Sequence, residues 1–142
     1  MDKLTLEVLA AYLPYEPKMQ VKREDGSTDL ITLNANKILL VLDGYYWGTE
    51  KLILRPMSDL TKDIEHKGQK FTPMTAISKR FDMNVVEHCF IEQNAPTNYR
   101  WIKTFRYDVV QTLISWHFDV FGLIEKGLAI DLNTVKGGPH EI

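Results

Sequence analysis

The chain has 142 residues, 44% of them apolar and 25% charged, with a formal net charge of −2. That length suits one domain, and that balance excludes a fully disordered chain, a collagen and a membrane bundle. A single cysteine, Cys89, excludes an internal disulfide framework and a four-cysteine zinc site.

The charge is uneven. Residues 1–50 hold 5 Lys/Arg against 8 Asp/Glu, 51–107 hold 10 against 6, and 108–142 hold 2 against 5. The middle third is basic, but a pI near 6.1 does not fit a domain coated with clustered cations for nucleic acid. Thr5 and Glu7 interrupt the apolar residues at the start, so no signal peptide is read. The apolar run 38–42 falls far short of the ~20 residues that span a bilayer. These features point to a cytoplasmic protein without a membrane segment, where a lone cysteine stays reduced.

Leu6, Leu9, Ala10 and Leu13 are spaced as on a helix, so 4–13 is the first expected element, stopped by Pro14 and Pro17. Residues 18–22 alternate polar and apolar, Asp25-Gly26 is a favoured hairpin turn, and 30–33 returns. Residues 38–42 are short, apolar and bounded by turn residues, which reads as a buried strand. Leu52, Ile53 and Leu54 give another. Together 18–55 is expected to be an antiparallel meander of about four strands. Ser58 offers a helix cap with Asp59 in the first turn, Leu60 and Ile64 on one side, and Gly68 at the end. A second short helix is expected over 73–81, capped by Thr72 with Pro73 in its first turn. The β-branched content of 84–92 favours a strand, with 99–105 as its antiparallel partner.

The strongest periodicity lies in 108–126. At 100° per residue, Asp108, Gln111, Thr112, Ser115, Asp119, Gly122 and Lys126 share a narrow polar stripe. The opposite side is apolar from Val109 to Ile124, which predicts one long buried helix closed by Gly127 at its C-terminal end. Residues 128–130 form a short last strand, and the Gly-rich end is a frayed tail. The expected architecture is α+β in a single domain over 1–142. It is sheet-rich over 18–56 and helix-rich over 57–132, with the tail at 133–142.

Chemistry is sparse. His66, His88, His117 and His140 stand in no metal-ligand spacing, and there is no phosphate loop and no GxSxG. No catalytic, cofactor-binding or metal residue is therefore assigned. His117 falls at the centre of the apolar face of the expected helix and is read first as a neutral core histidine bonded to a carbonyl, with a ligand site, a dimer-face histidine or a general base as the alternatives that make it the residue to watch. Asp119 would point to the far side, so the two form no dyad. His88-Cys89 is read as carrying a buried inert thiol. The charges at Asp59, Lys62, Asp63, Glu65, Lys67 and Lys70 read as a solvated helix face.

The segment 99–107 interleaves aromatic and basic residues. Exposed aromatics beside cations hold single-stranded nucleic acid by stacking and phosphate attraction. Arg100, Trp101, Lys103, Phe105 and Arg106 are therefore the residues of an alternative reading as a nucleic-acid-binding module. Tyr45-Tyr46-Trp47 offers a second aromatic surface.

Two segments, 54–65 (LRPMSDLTKDIE) and 116–131 (WHFDVFGLIEKGLAID), resemble stretches of small uncharacterised proteins encoded by bacterial phages and prophages. They cover about a fifth of the chain. The resemblance implies an accessory protein of a mobile element in the bacterial cytoplasm and carries over no catalytic residue. The leading expectation is a non-enzymatic protein without cofactors that binds a protein partner or itself.

Overall fold

The computed structural model describes residues 3–46, 48–82 and 107–135. The strands expected over 84–92 and 99–105, and residues 136–142 of the tail expected over 133–142, lie outside them, whereas Leu132–Thr134 forms a 3₁₀ turn.

The fold is α+β. Helix α1 (Leu6–Tyr12) starts where the Thr5 hydroxyl accepts the Val8 N–H. It buries Leu9 and Tyr12, then tightens into a 3₁₀ turn at Leu13–Tyr15. Strands β1 (Lys18–Lys22) and β2 (Thr28–Thr32) form the expected hairpin, in register from Lys18↔Thr32 to Lys22↔Thr28. Its turn is held by Asp25, whose carboxylate accepts from the Ser27 amide and hydroxyl, and by Gly26 at φ 86°. Met19 and Val21 point into the core, as the alternation demands.

The strand expected at 38–42 is a helix, α2 (Ala35–Leu42). Asn34 caps it by accepting the Lys37 N–H at 2.9 Å, and Ile38 and Val41, three apart, face the core. A short apolar run fits either element, and here the cap settles it. The four-strand meander is corrected accordingly. Strand β3 (Lys51–Leu54) pairs antiparallel with β1, and the last strand of the sheet comes from the far end of the chain.

The helix expected from Ser58 to Gly68 is also absent. Met57–Thr61 is a 3₁₀ turn, followed by a hairpin of β4 (Ile64–His66) and β5 (Gln69–Phe71). Lys67 and Gly68 form its two-residue loop, both at positive φ (51° and 80°). Two such residues match the right-handed twist of the flanking strands, so the loop favours a hairpin over a helix end. Helix α3 (Pro73–Arg80) follows as read, although Thr72 bonds Asp63 rather than capping it.

The long helix expected over 108–126 stops early. Helix α4 (Tyr107–Ser115) ends in a Schellman motif, with Phe118 N–H to the Leu113 carbonyl at 3.0 Å and His117 N–H to the Ile114 carbonyl at 2.9 Å. His117 holds the left-handed position at φ 64°, where glycine or asparagine is usual. Phe118 is then drawn out of the helix by two competitors. The Tyr12 hydroxyl donates to its carbonyl, and its backbone lies beside Arg55 in an isolated parallel bridge. Asp119, expected on the polar stripe, is buried, and its carboxylate accepts the N–H groups of Leu123 and Ile124 at 2.7 and 2.9 Å. Strand β6 (Ala129–Asp131) then pairs parallel with β3, giving the order β2-β1-β3-β6. One apolar cluster joins α1, the four-stranded sheet, α2, α3, α4 and the 118–123 segment, with Tyr12 and Phe118 its largest fully buried side chains.

Candidate functional site

Two corrections to the expected fold and the end of β3 meet at one place. Because the chain turns at His117, because β4 and β5 form a hairpin, and because residue 55 leaves β3 beside Phe118, Arg55, His66 and His117 line one cleft. Its volume is about 410 Å³, and Tyr15, Lys18 and Lys67 also border it.

Arg55 is 4% exposed. Its backbone is clamped on both sides, with its N–H donating to the His117 carbonyl at 2.7 Å and its carbonyl accepting from Asp119 at 2.9 Å. Its Nε donates to the Trp116 carbonyl at 3.0 Å and Nη2 to the Glu65 carbonyl at 2.8 Å. Nη2 also lies 3.4 Å from His66 Nδ1. The ion pairs among the described residues are Arg23–Asp29 and Lys62–Asp59. Arg55 belongs to neither. Burial lowers its pKa and the field of Asp59 raises it. A guanidinium stays protonated under either influence. The result is a buried cation bonded to neutral backbone carbonyls.

The two imidazoles meet edge to face, with ring centroids 5.0 Å apart. His117 Nε2 lies 2.7 Å from the Tyr15 carbonyl, which can only accept, so the proton sits on Nε2. Burial lowers the pKa of His117, and the charges of Arg55 and Lys67 lower it further. Burial, then His117, then Arg55, brings His66 down to about 4, against a hydrogen bond to the Ser115 carbonyl that pulls upward. Both rings are neutral at pH 7. His117 is therefore bonded to a carbonyl but is not sealed in the core, since it forms part of the cleft wall.

The cleft gathers hydrogen-bond donors and cations, which is equipment for binding. Arg55 and Lys18 were not singled out in the sequence, and His66 was noted only for its lack of metal-ligand spacing. Lys67 was read on a solvated helix face, which is instead a 3₁₀ turn with Asp59 buried, followed by the β4–β5 hairpin. The one local clue is the Lys67-Gly68 pair, whose two-residue loop fixes His66 at a strand end. The residues of the nucleic-acid reading, Arg100, Trp101, Lys103, Phe105 and Arg106, lie outside the described residues, as do His88 and Cys89.

A second surface lies along and just beyond α2. Leu39, Leu42 and Tyr45, each three residues on from the last, are 61%, 47% and 62% exposed. Tyr45 packs edge to face on the buried Tyr46, and both border a groove of about 640 Å³ with Ile31 and Leu40. Arg23 and Lys37 stand at the groove's rim.

Among the described residues, no group of three or more His, Cys, Asp or Glu is placed to hold a metal ion, and no helix is long and apolar enough to cross a membrane. Comparison with protein families, curated proteins and solved structures finds no match to this α+β chain.

Proposed function

We propose that this is a non-enzymatic interaction protein, of the accessory kind carried by bacterial phages and prophages, that engages a protein partner or a second copy of itself. The observation that supports this is the apolar ridge of Leu39, Leu42 and Tyr45 along and just beyond α2. Single exposed apolar side chains are ordinary, whereas three at helical spacing, the last of them bordering a groove that also holds Ile31, Leu40 and Tyr46, are what partners bury. Tyr45 is the natural anchor, because a tyrosine supplies large contact area at low entropic cost.

The test is light scattering over a range of concentrations, together with capture from bacterial extract, for the wild type and for Leu39→Gln/Leu42→Gln/Tyr45→Ser. The substitutions fall at exposed positions, so the melting temperature should hold. A mass that rises with concentration, or a specific captured protein, lost in the variant, is the expected result. A monodisperse monomer whose captured proteins do not differ between wild type and variant refutes the proposal.

A further inference from the structure

We propose that the cleft walled by Arg55, His66 and His117 is a binding site for a compact phosphate-class oxyanion, held by the Arg55 guanidinium with the Lys18 and Lys67 ammonium groups. This site is separate from the α2 ridge and does not depend on it.

The argument begins with Arg55. A charge in the interior is costly unless it is paired. Arg55 is almost fully buried, yet no carboxylate of a described residue lies within 4.0 Å of it. Its Nε and Nη2 groups are spent on the Trp116 and Glu65 carbonyls, which fixes the plane of the fork. Among the described residues Nη1 has no hydrogen-bond partner, so its N–H groups, in a plane already fixed, remain for a ligand. Charge-assisted N–H donors suit the oxygens of a phosphate or carboxylate, and holding them in place beforehand lowers the entropic cost of ordering them on binding.

The surroundings fit an anion of limited size. Lys18 approaches from β1, its Nζ donating to Thr32 Oγ1 at 2.6 Å, and Lys67 stands at the tip of the β4–β5 turn. The wall also carries two carboxylates, Glu16 and Glu65. Three cations against two carboxylates leave a small positive excess. That excess favours one oxyanion group on a small molecule over the continuous phosphate backbone of a nucleic acid, which would have to pass both glutamates. The volume falls within the range of small-molecule sites. The imidazoles, neutral at pH 7, add hydrogen-bonding groups without adding charge.

Arg55 also borders a second depression with Asp59, Lys62, Asp63 and Lys70. Two acidic side chains on that side make it the poorer anion site, and the test separates the two.

The probe is inorganic phosphate, followed by calorimetry and by thermal unfolding, with sodium chloride at equal ionic strength as control. Lys67→Asn is the decisive variant. It removes the cation while placing at the left-handed turn position a residue that prefers it, so the fold is kept. Saturable phosphate binding that chloride does not reproduce is expected. Lys67→Asn should weaken it several-fold, and Lys18→Ala combined with Lys67→Asn by about tenfold or more. Lys70→Ala, on the other depression, should leave it unchanged. Arg55→Lys, which loses the fork, should abolish it, and if that variant does not fold the lysine variants decide alone. Phosphate binding no better than the chloride effect overturns the proposal. So does equal binding by Lys18→Ala/Lys67→Asn and wild type, a loss on Lys70→Ala as large as on Lys67→Asn, or binding of a single-stranded oligonucleotide without binding of phosphate.

Discussion

Replacing Tyr12 with phenylalanine removes one oxygen from the centre of the protein and tests why the C-terminal helix ends where it does. Tyr12 is fully buried on α1, and its hydroxyl donates to the Phe118 carbonyl across 106 residues of sequence. That carbonyl also accepts the Val120 N–H at 3.0 Å, so the substitution leaves it one partner rather than none. The hydroxyl also accepts the Val120 N–H at 3.4 Å, a donor that keeps its bond to the Phe118 carbonyl. The cost is therefore that of one strong and one weak buried hydrogen bond, each partly compensated, about 1–1.5 kcal/mol. The ring stays in place against Phe121, so no sizeable cavity adds to it. For a chain of this length that corresponds to a fall in melting temperature of roughly 4–6 °C. Urea unfolding at constant m-value measures the energy, and amide exchange locates it. The Leu123 and Ile124 amides, bonded to Asp119 just beyond Phe118, should lose protection before those of β1. A change below about 0.3 kcal/mol, or a loss of protection spread evenly over the protein, refutes the view that Tyr12 pins the chain's exit from α4.

Two further outcomes can be checked on the same material. Asn34→Ala should cost about 1 kcal/mol in urea unfolding, the value of a helix cap, and a neutral result would return 35–42 to question as a helix. Stability should fall as pH drops from about 6.5 toward 4. The unfolded chain takes up protons at its histidines in that window, while the folded His66, held near 4 chiefly by burial and then by His117, does not. After allowance for the solvent reaching its cleft, the His66 contribution is of order 2 kcal/mol. Burial raises the Asp119 pKa, which favours the folded state as pH falls and so opposes the trend. The contribution of His66 is isolated by His66→Gln, which should flatten the slope, and an unchanged slope would count against a neutral buried His66.

Several elements are legible in the sequence because their signals are local. Proline ends α1, alternation and Asp25-Gly26 make the β1–β2 hairpin, and Pro73 opens α3. Each is a preference of neighbouring residues that distant packing does not need to reinforce. The α+β class follows from them. Tertiary structure decided the rest, where the local signal was degenerate or outweighed. The apolar run 38–42 fits a strand or a helix equally, and Asn34 and the core resolved it. The periodicity of 108–126 is real but describes a helix only as far as Ser115. Beyond it, Tyr12, the backbone of Arg55 and the pairing of β6 with β3 offer the chain buried hydrogen bonds that a continued helix would forgo. Asp119 turned inward for the same reason, to satisfy the two amides that the broken helix exposed. The cleft depends on these long-range choices, because Arg55, His66 and His117 share no period in sequence and meet only once the helix has ended.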